Sequence, residues 1–421
     1  MSAPTDRDCC VDSTDSLLSV EQGRQRILGA IQVIDDHEQL HIRSALDRVL
    51  AQPVVSAIDV PPFSNSAMDG YALRSTDCHP DQAGTFKIVG DCFAGAPFTD
   101  HVNQGECVRI MTGAVIPEGA DSVVMQEYVN REGLSITLNQ GSSIRAGTNI
   151  RYAGEDTRCG DTVLEPGTRI GPAEIGLLAS VGVSEVNVQR RIRVAFFSTG
   201  NELTSVGCTL QAGQIYDSNR YTLFGLLNNA SIEVHDLGVI PDDREAVRAA
   251  FKQAADTADL VITSGGVSVG EADYVTATLD ELGEVSLWRM ATKPGKPLAF
   301  GRLGQAYFFG LPGNPVSVMA TFYQFVLPVI HKMNGLNQRP PLLIQVSAGE
   351  TFKKAPGRTE FQRGVMYRDD LGEWAVRSTG LQGSHVLSSM SKANCFVILD
   401  AESAGAEQGS LVTVQPFSDF S

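Results

Sequence analysis

The chain has 421 residues, of which 43% are hydrophobic and 19% are charged, and its formal net charge at pH 7 is −16. This composition is that of an ordinary globular protein, and the length accommodates two to four domains. The acidic balance argues against a nucleic-acid partner, and no apolar run reaches the roughly 18 residues that cross a bilayer. The cysteines form no C-x-x-C pair, so we expect a cytoplasmic chain with reduced thiols and no membrane partner.

The first half of the chain begins with a polar segment, residues 1–18, that predicts a disordered tail. Apolar residues at helical spacing then predict a helix over Val20–Ile34. Across Val54–Leu138, short β-rich runs separated by Gly, Pro and Asp predict a small mostly-β domain. A second helix is expected to begin at Pro172, because proline suits the first turn of a helix.

The second half of the chain is more regular. Between Arg191 and Met333, buried strands alternate with amphipathic helices, which is typical of a doubly wound, largely parallel sheet. Short strands after Arg339 predict a C-terminal β domain. The sequence therefore predicts an α/β multidomain protein with smaller β-rich parts on both sides of the sheet domain.

Each predicted strand of the sheet region is followed by a loop rich in Gly, Pro or small polar residues. The loops begin after Phe197, Val239, Thr263, Met290 and Phe309. In an open α/β sheet, ligands bind beyond the carboxyl ends of the strands, so we expect these loops to form one crevice. Any one of them alone would be an ordinary turn, whereas all of them at one sheet edge predict a site.

These loops carry residues suited to an anion. Close approach of backbone N–H groups is possible at three glycines, Gly265, Gly266 and Gly270. A helix beginning near Asp273 would add its positive end, and Lys293 and Lys296 would supply point charges for a phosphate or an oxyanion. The chain lacks the P-loop and G-x-G-x-x-G patterns, so the anion is not expected in either of those settings.

Three acidic residues in the same loops, Glu202, Asp242 and Asp273, could hold Mg²⁺, a hard cation that takes oxygen ligands. The alternative for Asp242 and Asp273 is helix capping, since each precedes a predicted helix. Glu202 has no helix to cap, although it could simply be solvated. The residues therefore predict an anion site with a divalent metal, and they leave the substrate unnamed.

Two short motifs suggest other chemistries. His37–His41 matches the H-E-x-x-H zinc pattern, but the flanking residues do not predict the stable helix which that pattern needs. Gly266–Gly270 matches the G-x-S-x-G elbow of serine α/β-hydrolases, with Ser268 as the nucleophile. No downstream histidine is well placed for a triad, so the hydrolase is a remote alternative, and inactivation by a serine-directed phosphonate would favour it.

Longer motifs resemble one known family. They are Pro61–Ala72, Arg109–Ala114, Ser198–Leu203, Gly213–Arg220, Gly265–Tyr274, Lys293–Pro297, Gly310–Ser317, Gly357–Gly364 and Gln382–His385. In this order they resemble the MoeA family, the molybdopterin molybdenumtransferases, which is homologous to the gephyrin E domain. The resemblance extends from about Leu18 to Val414.

The resemblance implies an enzyme that takes adenylylated molybdopterin and molybdate, inserts molybdenum and releases AMP with Mg²⁺. It implies a homodimer of four-domain chains in which a molybdopterin-binding sheet domain is flanked by a small mostly-β domain, a helical linker domain and a C-terminal β-barrel-like domain. On this basis we predict a linker domain at 19–58 and 150–188, the small β-rich domain at 59–149, the sheet domain at 189–335 and the C-terminal domain at 336–421.

The resemblance also implies roles for individual residues. Asp69 and Thr112 would contribute from the small β domain of the second subunit, and the expected catalytic residues of the loops are Glu202, Asp242, Asp273, Lys293 and Lys296. The expected substrate-binding residues are Ser198, Gly200, Gly265, Gly266, Ser268, Gly270, Arg289, Pro312, Gly313, Asn314, Pro315, Arg363 and Ser384. At Arg289 the family often has Lys, so the charge is kept but the contact geometry can differ.

Two other classes of function remain open. One is adenylylation of molybdopterin, the preceding step, which is carried out by proteins with a similar sheet domain but without the flanking β domains. The enzyme of that step is also a candidate partner. The other class is a non-catalytic scaffold, a role that gephyrin serves as well.

Overall fold

The computed structural model describes residues 17–79, 84–138, 144–265, 274–337 and 340–417. The chain forms two compact units. The first is built from the residues before Gln39, from 47–51 and from the residues after Asn187, and the second from 39–46 and 52–187. The second unit is thus an insertion into the chain of the first. None of the described helices is long and apolar enough to cross a membrane.

The elements up to residue 189 are mostly short strands. In chain order they are α1 (Val20–Ala30), β1 (His37–His41), β2 (Val54–Val55), β3 (Asn65–Ser66), β4 (Gly70–Leu73), β5 (Thr85–Cys92), β6 (Glu106–Ile110), β7 (Ser122–Met125), β8 (Val129–Glu132), β9 (Ser135–Leu138), β10 (Ile150–Arg151), β11 (Thr162–Leu164), α2 (Pro172–Ser180) and β12 (Glu185–Gln189). In the second unit a six-stranded sheet has the order β7-β4-β6-β5-β9-β8, which confirms the small mostly-β domain. Alternate side chains such as Phe86, Ile88 and Ile136 form its core.

The H-E-x-x-H motif coincides with strand β1 and does not form a helix. A strand rises about 3.3 Å per residue, so positions 37 and 41 lie about 13 Å apart along it, too far for one metal ion. Both histidines are also exposed. The zinc interpretation of this motif is therefore wrong.

The first unit is organised around a second six-stranded sheet. Its region contains β13 (Ile192–Thr199), β14 (Leu203–Thr204), β15 (Ile215–Tyr216), α3 (Ser218–Leu227), β16 (Ile232–Ile240), α4 (Arg244–Thr257), β17 (Leu260–Ser264), α5 (Tyr274–Leu282), β18 (Gly283–Arg289), β19 (Thr292–Lys293), β20 (Pro297–Leu303) and β21 (Ala306–Leu311). The strand order is β16-β13-β17-β21-β20-β18. The first four strands are parallel, and β20, which the sequence did not predict, is antiparallel to both its neighbours.

Helices cover both faces of this sheet, as a doubly wound fold requires. Side chains alternate along β13, so Phe196 packs in a cluster with Leu223 of α3, while Phe197 packs in another with Phe251 of α4. The rings of Phe197 and Phe251 meet edge to face with centroids 5.1 Å apart. The predicted doubly wound, mostly parallel sheet is thereby confirmed.

The helical segment after the sheet contains a widened turn. It consists of α6 (Pro315–Thr321), a π-helical turn (Phe322–Val326) and α7 (Leu327–Met333). Pro328 has no N–H to bond the carbonyl of Gln324, four residues earlier, and its ring would clash with that carbonyl in a regular helix. The freed carbonyl instead accepts a hydrogen bond of 3.2 Å from Nε of Arg24 in α1, which accounts for the wider turn.

The C-terminal strands close into a barrel. The remaining elements are β22 (Ile344–Ala348), β23 (Phe352–Lys353), β24 (Thr359–Arg368), β25 (Trp374–Ser378), α8 (Leu387–Lys392), β26 (Cys395–Leu399), β27 (Gly405–Ala406) and β28 (Leu411–Pro416). Strands β24, β25, β22, β28 and β26 pair in that order, and β26 pairs back with β24. This ring confirms the barrel-like C-terminal domain, and β19 extends it by pairing with β24.

Candidate functional site

The parallel strands of the large sheet end side by side. Ser198 of β13 is level with Ser264 of β17, and Ser264 is level with Leu311 of β21. The loop after β17 is joined to β21 by a hydrogen bond of 3.2 Å from the N–H of Gly265 to the carbonyl of Leu311. The loops after these strands therefore share one sheet edge, as the sequence predicted.

Two glycines allow this close approach of backbone. Gly265 has φ +89°, and a Cβ there would lie 2.9 Å from the carbonyl oxygen of Thr199. Gly200 has φ +149°, and a Cβ there would lie 2.6 Å from a carboxylate oxygen of Glu202. An L side chain is strained at both positions, and at Gly265 it also meets fixed backbone, so these loops depend on glycine.

Polar side-chain atoms are buried at this edge without a hydrogen-bond partner in the described chain. They are Oγ of Ser198, Oγ1 of Thr199, Oγ1 of Thr263 and Oδ1 of Asn219. Ser198 lies in strand β13, and not in the loop where the sequence placed it. Such unpartnered groups cost about 1–3 kcal/mol each, so their concentration at one sheet edge is a feature of a ligand site more than of a structural core.

The loops after β13 and β16 are bonded to each other. The Asn201 N–H donates to Oδ2 of Asp242, and the Asp242 N–H donates to Oδ1 of Asn201, both at 3.2 Å. Asp242 does not cap the following helix, because the N-cap is Asp243, which accepts from the Ala246 N–H at 3.0 Å. The capping alternative for Asp242 is therefore wrong, and the side chains of Asp242 and Glu202 are both exposed.

Part of the predicted site lies outside the described residues. This applies to Gly266, Ser268, Gly270 and Asp273, and thus to the G-x-S-x-G motif. Among the described residues there is no group of three or more His, Cys, Asp or Glu side chains that could hold a metal ion. The described share of the predicted metal site is the pair Glu202 and Asp242.

The segment between β18 and β20, which contains Lys293 and Lys296, connects the sheet domain to the barrel. Nζ of Lys293 lies 2.9 Å from Oε1 of Glu360, and Oε2 of Glu360 accepts from Nε2 of Gln362 at 2.9 Å. The loop is closed by the hydroxyl of Thr292, which donates to the Gly295 carbonyl at 2.7 Å. Sequence reasoning assigned no site role to Glu360, although it lies in one of the motifs that carry the resemblance.

The two other basic residues of this region are solvent-facing. Lys296 is exposed, and its carbonyl accepts from the Met290 N–H at 2.8 Å, which fixes both ends of the loop. Arg289 is exposed at the carboxyl end of β18. Lys296 thus faces solvent at the sheet edge where the sequence predicts an anion, and Arg289 ends the neighbouring strand β18.

Arg363 is buried and does not point to solvent. It is 1% exposed, and it donates from Nε to Oγ of Ser389 at 2.9 Å and from Nη2 to the Gly383 carbonyl at 3.0 Å. Burial lowers the pKa of Arg363 to about 10. The carbonyl of the adjacent Ser384 accepts from the Val316 N–H at 3.1 Å. Arg363 therefore holds the Ser384 loop at the start of α6, while its contact with substrate stays a prediction.

The loop between β21 and α6 forms a further side of the predicted site. Strand β21 continues to Leu311, two residues beyond the predicted end. Pro312 is buried, Gly313 and Asn314 are exposed, and Pro315 begins α6. The Gly313 carbonyl accepts from Nδ2 of Asn219 at 2.7 Å. Asn219 was missed as a site residue, although it lies in the motif Gly213–Arg220 that carries the resemblance.

Asp69 and Thr112 are neighbours in the second unit. Asp69 precedes β4 and Thr112 follows β6, and these strands pair with Gly70 level with Ile110. Oδ1 of Asp69 accepts from both the N–H and the hydroxyl of Thr112, at 2.8 Å each. These two hydrogen bonds, led by the backbone one, lower the pKa of Asp69. The pair is exposed, and its carboxylate is kept ionised.

Three known sequence families match successive parts of the chain. The MoeA N-terminal region (domain I and II) matches residues 18–182, a probable molybdopterin binding domain matches residues 195–332, and the MoeA C-terminal region (domain IV) matches residues 345–417. The second match covers the large sheet and its loops, and the third covers the barrel.

Individual relatives match over most of their length. The molybdopterin molybdenumtransferase of Haemophilus influenzae is 46% identical over 410 residues, which cover 96% of this chain and 99% of that protein. The enzyme of the same name from Nostoc sp. is 36% identical, over 86% of this chain and 85% of its own. The crystal structure of the molybdopterin biosynthesis MoeA protein from Pyrococcus horikoshii OT3 superposes with a TM-score of 0.84 at 28% identity, covering 96% of this chain and 100% of that one.

Proposed function

The chain belongs to the MoeA family of molybdopterin molybdenumtransferases, and from this premise we propose that it inserts molybdate into adenylylated molybdopterin and releases AMP. The observation that carries the proposal is the 46% identity, over 96% of the chain, to an enzyme named for molybdenum transfer to molybdopterin. The transfer makes molybdenum cofactor, so the protein acts as a biosynthetic enzyme.

The chemistry of the described sheet edge is consistent with such a substrate. An adenylylated pterin carries phosphate groups, and the glycine backbone at Gly200 and Gly265 lets N–H groups approach them closely. Lys293 and Lys296 supply positive charge where negative charge develops as the phosphate linkage breaks. Ser384 and the unpartnered hydroxyl of Ser198 suit the oxygens of a small dianion such as molybdate.

The carboxylate donors at this sheet edge are of the type that Mg²⁺ prefers. Mg²⁺ usually keeps several waters and is bound through one or two carboxylates together with substrate phosphates, so it does not need a cage of protein ligands. Glu202 and Asp242 are exposed carboxylates on one pair of bonded loops, and Asp273 would be the third ligand. When bound, the ion would neutralise charge on the phosphates. The protein's own carboxylates hold and orient it.

We further propose a cytoplasmic homodimer in which Asp69 and Thr112 of one subunit complete the site on the sheet domain of the other. The exposed position of Asp69 supports this role, because a carboxylate on the surface of one subunit can reach a site on another. The adenylyltransferase of the preceding step is the proposed supplier of the substrate, since an adenylylated pterin is better passed on than released.

The function is tested by incubating the protein with adenylylated molybdopterin, Mg²⁺ and molybdate and by measuring AMP. We expect AMP release that depends on molybdate and stops when Mg²⁺ is chelated. The matched variants are Asp242→Ala, expected to be inactive, and Asp243→Ala, which removes a neighbouring carboxylate that only caps a helix. AMP formation that does not respond to molybdate would overturn the proposal.

The shared site is tested by co-expressing the variants Asp69→Asn and Asp242→Ala in equal amounts. In a symmetric dimer with sites between subunits, half of the dimers are mixed and each has one intact site, so about a quarter of the wild-type activity returns. If each site is built from a single chain, co-expression restores none. Homodimers of each variant alone provide the baseline.

A further inference from the structure

Asn219 lies in the first turn of α3, two residues after its N-cap Asp217. Its Nδ2 donates to Oγ of Ser264 at 2.8 Å and to the carbonyl oxygen of Gly313 at 2.7 Å. Both hydrogens of that nitrogen are therefore engaged. One short side chain thus links the last residue of β17 to the loop after β21.

The orientation of this amide follows from its partners. A carbonyl oxygen such as that of Gly313 only accepts hydrogen bonds, so the NH₂ group of Asn219 must face it. The same orientation leaves Oδ1 buried without a partner in the described chain. A buried acceptor is left unsatisfied here, so the two donated bonds decide where the amide points.

The end of β17 and the Gly313 loop are held together by few other bonds among the described residues. Gly265 and Gly313 lie close together, because a Cβ added to Gly313 would be 4.0 Å from the Cα of Gly265. Their direct backbone link, from the Gly265 N–H to the Leu311 carbonyl, is long at 3.2 Å. Glycine has the largest conformational freedom of all residues, so the spacing of these loops depends on bonds from outside them.

We propose that Asn219 is a positioning residue that sets the spacing between the end of β17, at Ser264 and Gly265, and the Gly313 loop for the pterin substrate. It acts through the backbone of those loops. The role in substrate binding rests on the proposed function, whereas the clamping of the loops does not. Loss of the clamp lets the loops separate, so substrate binding weakens before the chemical step is affected.

The clamp is tested in the ligand-free protein by amide hydrogen exchange. The variants are Asn219→Ala, which removes both bonds, and Ser264→Ala, which removes one and leaves the bond to Gly313. The matched control is Asn228→Ala, which changes an exposed asparagine at the other end of the same helix. Losing bonds of ordinary strength should speed exchange about tenfold in Asn219→Ala at Gly265 and Val316, whose N–H groups bond the carbonyls of Leu311 and Ser384. The effect should be smaller in Ser264→Ala and absent in the control.

The second readout separates positioning from a merely structural role. Asn219→Ala should raise KM for adenylylated molybdopterin about tenfold while kcat changes less than about threefold, the pattern of lost ground-state binding. A residue that only stabilised the fold would instead lower the melting temperature, speed exchange throughout the first unit and reduce kcat with KM unchanged.

The outcomes distinguish the two proposals. Unchanged exchange at Gly265 and Val316 in Asn219→Ala would overturn the positioning role, as would an unchanged KM in an active enzyme. A wild-type protein that releases no AMP while Asn219→Ala shows faster loop exchange would count against the proposed function alone.

Discussion

Nζ of Lys293 lies 2.9 Å from Oε1 of Glu360, and the lysine side chain is 49% exposed whereas the carboxylate is 6% exposed. The nearly buried partner is fixed in the barrel strand β24, where Gln362 also bonds it. The half-exposed partner follows β18 of the sheet. Glu360 of the barrel therefore fixes the position of the Lys293 ammonium group at the sheet edge.

Glu360→Gln should lower kcat/KM about tenfold, because Lys293 loses the charge that holds its ammonium group in place. Stability should change by less than about 1 kcal/mol, since a neutral glutamine costs less to bury than a carboxylate and can still accept the bond from Gln362. The measurements are AMP release and urea unfolding, with Glu373→Gln on the barrel surface as the control. Lys293→Ala should fold normally and be inactive, and full activity of both Lys293→Ala and Glu360→Gln would contradict this role.

Asp242 and Asp243 should separate activity from stability. Asp243→Ala removes the N-cap of α4 and should lower the free energy of unfolding by about 1 kcal/mol with activity kept. Asp242→Ala should abolish AMP release and leave stability nearly unchanged, because its carboxylate is exposed and accepts one long bond of 3.2 Å. Urea unfolding and AMP assays on both variants check the pair. The reverse result would assign Asp242 to structure.

The bond from the Thr112 hydroxyl should be visible in the titration of Asp69. Hydrogen bonds to the ionised form lower the pKa of Asp69, so Thr112→Val, which deletes the hydroxyl but keeps the N–H, should raise it toward its ordinary value. Thr112→Ser keeps the hydroxyl and serves as the control. The titration is followed by carbon NMR of the labelled carboxylate, and equal pKa values in the two variants would exclude this bond in solution.

Asp259 should make the stability depend on acid pH. Burial alone would raise the pKa of Asp259, but hydrogen bonds from Arg190 and Arg193 outweigh it and lower the pKa to about 2. Since the folded-state pKa is below the unfolded value of about 3.9, this stabilisation is present at neutral pH and is lost as the pH falls from about 4 through about 2.

Asp259→Asn should therefore lower the free energy of unfolding by about 2 kcal/mol at pH 7, and the deficit should shrink toward pH 3. Urea unfolding across this range measures it. Asp256→Asn, an exposed aspartate three residues earlier, is the control. A deficit that is constant with pH would show that packing, and not the charge, is responsible.

The position of the site was predictable because it follows from local patterns. Strands alternating with helices fix which sheet edge receives the loops, so Glu202, Asp242 and Lys293 could be assigned to one edge before any contact was known. The barrel and the small β domain were predictable from the resemblance and from short strands. Glycines with special geometry, such as Gly265, stood out by composition alone.

The contacts that organise the site were not predictable, because each joins residues far apart in the chain. Lys293 and Glu360 are 67 residues apart, and Asn219 is 45 residues from Ser264 and 94 from Gly313. The widened turn needs both Pro328 and Arg24, which bonds a carbonyl 300 residues away. Periodicity and propensity describe neighbours in sequence, so they carry no information on such pairs.

The insertion of the second unit into the first has a consequence for synthesis on the ribosome. Ile27 and Ile31 pack in a cluster with Phe325 and Met333, and Lys332 bonds the Leu28 carbonyl 304 residues away. At about 5–20 residues per second, α1 waits roughly 15–60 s after its own translation for the surface that buries it. All strands of the inserted unit have been translated by then. The apolar face of α1 is therefore exposed for the longest time during synthesis, and a chaperone would bind there.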